Sequence, residues 1–343
     1  MVNAKSATEA HKSASGDAKL NSGASFQGPD PLGVVCFSFF ISMWVYAQFL
    51  PLLAIYLWWS LGRYTLLLSI VAYFVYRGKY KAVCWPGIRK ITGEFVQRHP
   101  YFKKQQVIFD IDEMPKPGTS CLLCYHMHGV LTCGSLLNGA VHPDVIKSDP
   151  KCLVGSGLFG VCFLSDLLRW FDFLPWTREV MKEEMGKGTN LLIMPGGFEE
   201  ASCYKRGAHR TYLKDRKGWI KYALQFGYKL IPCYTFGEEL TYWTWTGLMK
   251  YRLMANKYQF PGAVFLGKFC SWLPDPNVEL ITVIGTPLEL PHISEPSADD
   301  VDKYHALYLE HLRKLFNKHK GQYAKDPNAE LEFVGPRDFG LEP

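Results

Sequence analysis

Two histidines flanking a single residue at the end of an apolar run hold the chain's clearest capacity for chemistry: Tyr125-His126-Met127-His128-Gly129. An imidazole titrating near pH 6.5 is suited to take a proton from an alcohol in neutral solution, so the chemistry on offer is general-base activation of a hydroxyl. Residues 121–125 read as a buried strand, and open α/β sheets carry their sites at strand carboxyl ends, where both imidazoles would emerge. Gly129 would let the main chain pass close to a ligand. Cys121, Cys124 and Cys133 share the segment. On a strand, however, Cys121 and Cys124 point to opposite faces, and the second ligand pair of a structural zinc module is missing, so no metal site is expected.

A second constellation, Met194-Pro195-Gly196-Gly197-Phe198-Glu199-Glu200, also follows an apolar strand. Gly196 and Gly197 permit close backbone approach, and Glu199 or Glu200 could orient a histidine or bind a hydroxyl; the simpler reading is a strand-to-helix turn with acids at a helix start. Downstream, Lys205, Arg206, Arg210, Lys214, Arg216 and Lys217 gather positive charge with only Asp215 opposing. Such a stretch suits the phosphates of a nucleotide carrier or anionic lipid, and equally a solvated loop. Gly155-Ser156-Gly157-Leu158-Phe159-Gly160 matches the dinucleotide pattern of three glycines. The strand before it is very short, and no acid closes a second strand about 20 residues on. These glycines therefore read as a turn before an apolar helix, residues 158–168, placed to dip into a membrane surface or to line an acyl channel.

Positioning these groups falls to an alternation of short apolar runs and longer helical patterns. Strands are expected at 106–109, 121–125, 153–154, 190–194, 230–234, 263–266 and 280–284, and helices at 88–97, 158–171, 178–186, 217–226 and 299–318. Gly227 is the expected C-cap of the helix before it. In the terminal helix Val301, Tyr304, Tyr308, Leu312 and Leu315 make one packing stripe. The pattern predicts an α/β fold with a mostly parallel central sheet flanked by helices, as a single domain over residues 77–343, because no Pro/Ser/Gly linker interrupts them.

What precedes that domain differs in kind. Residues 1–30 are polar and small, the composition of a disordered tail. Residues 31–62 are uncharged and apolar. One straight helix crosses a bilayer in about 20 residues, so this stretch is oversized for a single span. With Pro51 in it and a second apolar run, 64–76, beyond Arg63, residues 31–76 read as a hydrophobic membrane hairpin, re-entrant or two-pass, turning near Pro51. Arg77, Lys79, Lys81, Arg89 and Lys90 follow and set that end in the cytosol. The run starts too late and is too long for a signal peptide. At 48% hydrophobic and 15% aromatic residues, with mean hydropathy near zero, the remainder must fold in water, as in a monotopic enzyme rather than a polytopic transporter. A net charge of +6 is too mild and too scattered for nucleic acid and suits anionic headgroups or a phosphate-bearing substrate. Ten irregularly spaced cysteines and no Asn-x-Ser/Thr sequon point to reduced thiols on the cytosolic side.

Taken in chain order, these motifs resemble the type-2 diacylglycerol acyltransferases, with their monoacylglycerol and wax-alcohol acyltransferase relatives. Phe49-Leu50-Pro51-Leu52 through Tyr56 looks like the neutral-lipid motif of that family's first membrane segment, which would make Phe49, Leu50 and Leu52 lipid contacts. His126-Met127-His128-Gly129 stands where the family has His-Pro-His-Gly, and Gly196-Gly197-Phe198-Glu199-Glu200 fits its Gly-Gly-x-x-Glu. Lys214-Asp215-Arg216-Lys217-Gly218-Trp219 and Phe236-Gly237-Glu238 are similar to two further motifs, as are Val283-Ile284-Gly285-Thr286-Pro287 and the segments around Tyr304-His305 and His319. The departures are specific. Met127 replaces a proline, so the aim of His128 must come from packing. Lys214 replaces an arginine and loses the bidentate fork. Glu239 stands where asparagine is common. Cys133 occupies the place of the aspartate that wider glycerolipid acyltransferases carry five residues after the histidine, so an acidic partner for His128 must be borrowed, with Glu200 or Glu199 the candidates.

The resemblance implies a membrane-anchored, glycerolipid-acyltransferase-like enzyme of the endoplasmic reticulum, its catalytic domain facing the cytosol, with lipid droplets a second location. It implies direct acyl transfer from acyl-CoA to the free hydroxyl of diacylglycerol to make triacylglycerol, with His128 as base and His126 in support. Gly129, Gly196 and Gly197 would line the substrate, and Arg206, Arg210, Lys214, Arg216 and Lys217 would hold CoA phosphates. Acyl-CoA is then a co-substrate, and no metal or other cofactor is called for. Expected partners are both lipid substrates and membrane lipid, not nucleic acid, with a homo-oligomer compatible. Three alternatives stay open: the same chemistry on monoacylglycerol, on a long-chain (wax) alcohol or on a sterol. From a different class comes a non-catalytic hairpin protein that coats lipid droplets.

Overall fold

A computed structural model describes residues 28–256 and 262–342. The expected tail, 1–30, lies outside the described residues up to residue 27. Seven strands form the central sheet: β1 (Lys104–Phe109), β2 (Cys121–His126), β3 (Lys151–Val154), β4 (Phe173–Pro175), β5 (Leu191–Ile193), β6 (Lys229–Phe236) and β7 (Glu279–Ile284), in the order β1-β7-β6-β2-β5-β3-β4. Each pair is parallel except β7 with β6. The expected α/β architecture is therefore present. The segment expected as a strand at 263–266 forms instead a two-residue antiparallel ribbon, Phe265–Leu266 with Trp243–Thr244, apart from the sheet.

The longer helices are α1 (Pro31–Ala47), α2 (Leu50–Leu61), α3 (Thr65–Lys79), α4 (Pro86–Arg98), α5 (Leu164–Trp170), α6 (Arg178–Gly186), α7 (Gly197–Cys203), α8 (Gly218–Phe226) and α9 (Ala298–Tyr323). Gly227, left-handed at φ +65°, closes α8 as its lack of a Cβ allows. In α9 a Ser297/Asp300 capping box starts the helix, and Tyr308, Leu312, Leu315 and Phe316 bury its stripe against one sheet face. The other face is covered by α5 and the segment around Ala140 and Val145. The helix expected over 158–171 is two pieces, a single 3-10 turn, Ser156–Gly160, and then α5; Phe163, at φ +61°, breaks it.

At the amino-terminal end the structure corrects the turn. Pro51 does not reverse the chain: it sits in the first turn of α2, where a missing N–H costs nothing. The axis bends by 56° between α1 and α2, and reversal comes later, at Gly62, whose left-handed φ of +63° caps α2. Among the described residues no single helix is long and apolar enough to cross a membrane, although α1 and α2 together pass that test as a bent pair. Their environments differ. Helix α1 packs Phe37, Ile41 and Val45 into the domain, and Asp30 caps it while bonding His99 Nδ1 at 3.1 Å. Helix α2 buries only Ala54, and α3 buries nothing. Arg89, grouped by sequence with the exposed cations, is buried and donates to the Ala140 and Pro150 carbonyls.

Candidate active site

Because β2, β5 and β6 run parallel, their carboxyl ends bring three loops to one edge of the sheet: His126–Gly129, Met194–Glu200 and Gly237–Glu239. His126 ends β2 and is fully buried. Its Nε2 lies 2.8 Å from the Tyr308 hydroxyl of α9, and its Nδ1 has no partner. Burial drives its pKa down to about 3, so it is neutral at any physiological pH. The His126–Met127 peptide is cis.

His128 is only half-buried. Its Nδ1 lies 3.1 Å from the Gly129 carbonyl, so a hydrogen on Nδ1 donates there and leaves the Nε2 lone pair free. Nε2 has no hydrogen-bond partner among the described residues. Burial, opposed by the Gly129 contact and helped by the Arg216 charge, lowers the pKa to about 4, which keeps the ring neutral and ready to accept a proton.

Its position is fixed through the main chain. Glu200, buried in the first turn of α7, accepts from the His128 backbone N–H at 2.6 Å and from the Tyr212 N–H at 3.0 Å. Across the same loop, buried Glu238 accepts from the amides of Cys133 at 3.2 Å and Gly134 at 2.7 Å. Burial raises the Glu200 pKa to about 7 and the Glu238 pKa to about 8, in each case against the pull of those amides. Glu239 is also pushed up to about 7 by burial and accepts from Gly237 N–H at 2.8 Å. Two glycines make room for this clamp. Gly129, at φ +62°, would drive a Cβ onto the Glu238 carboxylate, and a Cβ on Gly196 would meet that of Glu200.

These contacts correct the expected orienter. Neither acid reaches the His128 imidazole: Glu200 holds its backbone, and Glu199 turns outward to an ion pair with Arg216. The basic stretch is also divided. Arg206 lies against Asp275 and the Leu240 carbonyl, Arg210 pairs with Glu332 at 2.8 Å, and Lys214 with Asp338 at 3.0 Å. Arg206 thus stays by the end of the Gly237–Glu239 loop, while Arg210 and Lys214 are paired with the carboxyl-terminal segment. Only Arg216 and Lys217 line a cleft of about 350 Å³ that also contains Pro195, Trp176 and Trp219. Arg178, at the start of α6, joins them there and makes no ion pair among the described residues. No spacing in the sequence pointed to Arg178, whereas the Glu238-Glu239 pair after an apolar run was a usable signal. At the α1–α2 bend Phe49 and Leu52 are exposed and Leu50 is half-buried. Among the described residues no group of three or more His, Cys, Asp or Glu is arranged to hold a metal ion.

Residues 57–334 match a family model described as diacylglycerol acyltransferase. Among curated proteins, the chain is 32% identical over 238 residues to human diacylglycerol O-acyltransferase 2-like protein 6, covering 63% of this chain and 70% of that protein. It is 31% identical to Xenopus laevis diacylglycerol O-acyltransferase 2, over 64% of this chain and 66% of that one. To human acyl-CoA wax alcohol acyltransferase 1 it is 30% identical, over 64% and 72%. Of solved structures, a 1-acyl-sn-glycerophosphate acyltransferase from Thermotoga maritima is similar at a TM-score of 0.43 and 15% identity, over 86% of this chain and 97% of that one, a likeness too distant to carry an argument.

Proposed function

We propose, from the premise that this chain belongs to the diacylglycerol acyltransferase family and is an O-acyltransferase, that it makes triacylglycerol by direct transfer from acyl-CoA to diacylglycerol with His128 as the base. The observation that carries the reading is the free Nε2 of a neutral, half-buried imidazole on a rigidly held loop. In the reaction Nε2 takes the proton of the acceptor hydroxyl, and the oxygen attacks the thioester carbonyl. The tetrahedral oxyanion then collapses with cleavage of the C–S bond, and the thiolate of CoA leaves and recovers the proton from the imidazolium. The amides of Gly129 and Gly196 themselves are the candidate oxyanion donors, each worth about 3 kcal/mol in known cases. His126, sealed against Tyr308, supports the strand end rather than exchanging protons. No metal or redox cofactor enters the scheme.

CoA phosphates fit the cleft of Arg178, Arg216 and Lys217, where the half-buried Trp176 and Tyr222 offer rings to an aromatic base. Both lipid substrates arrive from a bilayer on which α2 and α3 rest. Trp59 is 87% exposed, and Leu52, Ile55 and Trp58 of the same helix are likewise uncovered, a surface that only lipid satisfies. On this reading the enzyme works at the endoplasmic reticulum membrane with its domain in the cytosol, and on lipid droplets, and the exposed apolar side chains of α2 support that reading. Family membership sets aside the coat-protein alternative. The acceptor is tested by labelled oleoyl-CoA in microsomes with diacylglycerol, monoacylglycerol and hexadecanol in parallel. Triacylglycerol as the main product supports the reading, and wax ester as the main product replaces the acceptor.

A further inference from the structure

Beneath the histidine edge lies a cavity of about 330 Å³, at the lower end of the range for small-ligand pockets and lined almost wholly by apolar side chains. At one end Thr132 and Ser135, which follow His128 and Gly129 in the same loop, face Met194, which leads into the Gly196–Glu200 loop; the Ser135 hydroxyl is 3.0 Å from the Met194 sulfur. The cavity and the candidate base thus share two loops. Methionine, unbranched and adaptable, is the kind of side chain that can yield between them. The far wall is α1: Phe37, Phe40 and Trp44 close it, and Cys36, exposed on the same helix, stands at its rim. The opposite wall includes Val154, the last residue of β3, and Leu158 from the glycine-rich turn after it.

Helix α1 is built to stay there. Gly33 lies so close to the His99 carbonyl that no Cβ would fit, the Asp30 N–H donates to the Pro100 carbonyl at 2.9 Å, and Asp30 also caps the helix. Its other face, with Val35 and Phe39, is exposed and apolar. One face therefore closes a dry cavity and the opposite face needs an apolar surrounding.

We propose, resting on the acyl-transfer reading above, that this cavity is the seat of the acyl chain of the thioester, and that α1 is its wall and sets chain length rather than serving as a membrane span. Its volume and lining fit one aliphatic chain whose thioester end lies at Met194 and Ser135, within reach of the His128 loop, and leave the second lipid to approach from the membrane.

The test uses the full chain in microsomes with palmitoyl-CoA bearing a diazirine at the chain end. Crosslinks should map by mass spectrometry to α1 around Phe37 and Phe40 and to α4 around Val96. In Val154→Trp, which fills the cavity from the sheet side, and Cys36→Trp, which crowds its rim, transfer of octanoyl relative to palmitoyl should rise by about tenfold or more, since a methylene in a fitted pocket is worth about 10–200-fold. Crosslinks confined to α2 and α3, or an unchanged chain-length ratio in variants that remain active, would overturn the proposal while leaving the transfer reaction standing. Cavity crosslinks in a wild-type chain that transfers to no acceptor would uphold the chain seat and overturn the reaction instead. Should both variants fail to fold, the wild-type crosslink map decides by itself.

Discussion

The histidine edge and the α2–α3 pair are opposite solutions to holding a surface in place. At the edge, buried carboxylates grip the main chain: Glu200 takes the His128 amide, and Glu238 takes those of Cys133 and Gly134. In α2 and α3 a single alanine is buried, the ties to the domain are Tyr73 and Arg77 on Asp166 at the start of α5, and Leu, Trp and Tyr side chains face outward. Precision at the edge comes from satisfied buried polar groups, which are costly to disturb because any amide left unpaired costs about 1–3 kcal/mol. Apart from the polar contacts of Tyr73 and Arg77, the helical pair presents hydrophobicity without complementarity, so on the proposed reading any similar apolar residue serves on its outer face.

Substitutions should sort by region. The largest effect is expected of Gly129→Ala, where a positive φ and overlap with the Glu238 carboxylate act together: about 2–4 kcal/mol of stability, read as a fall in thermal midpoint of the detergent-solubilised chain, with activity lost as the loop moves. Next is Glu238→Ala, which strands two buried amides and should cost about 2–4 kcal/mol by the same measurement. A result near zero for either would erase the distinction between the regions.

The pH dependence gives a third, smaller test. Glu200, Glu238 and Glu239 have pKa values raised by burial, so the folded state retains protons that the unfolded chain has released, and stability must fall as pH rises from about 4.5 toward their folded values of about 7 to 8. His126 and His128 act oppositely: with pKa values lowered, their neutral folded forms favour stability above about pH 6.5, and that stability is lost as pH falls toward about 3 to 4. Between pH 6.5 and 8 the carboxylates dominate and stability should decline. In Glu238→Gln that decline should shallow by up to about 1.4 kcal/mol per pH unit, the limit for one proton. An identical slope in the variant would mean that Glu238 is already ionised. The smallest effect belongs to the other region: Trp59→Ala in α2 should change domain stability by less than about 0.5 kcal/mol, while membrane retention after a carbonate wash declines.

The same contrast explains what the sequence made legible. Strands buried on both faces announce themselves as apolar runs, so β2, β5, β6 and β7 were readable; β4, a half-buried edge strand of three residues, was not. The stripe of α9 was visible because polar residues frame it, whereas α1 is apolar all round and no periodicity could tell its cavity face from its outer one. At the site, the structure brings His128, Gly129, Gly196 and Glu200, all visible in the motifs, to one edge of the sheet. The nature of their contact was hidden, because a carboxylate bonding a backbone amide two loops away leaves no mark in residue spacing. The run from Lys205 to Lys217 misled for the reverse reason: neighbours in sequence diverge in space, three of them spent on Asp275, Glu332 and Asp338, while Arg178 arrives from another helix.

The most direct measurement of the central claim is triacylglycerol formation from oleoyl-CoA and diacylglycerol by wild type and His128→Ala at matched expression in microsomes, with the thermal midpoint of each recorded. The account predicts a loss of about a hundredfold or more with little change in midpoint, because the half-buried ring bonds only its neighbour's carbonyl while Glu200 still holds the backbone. Equal product from the two proteins would contradict it and remove His128 as the base.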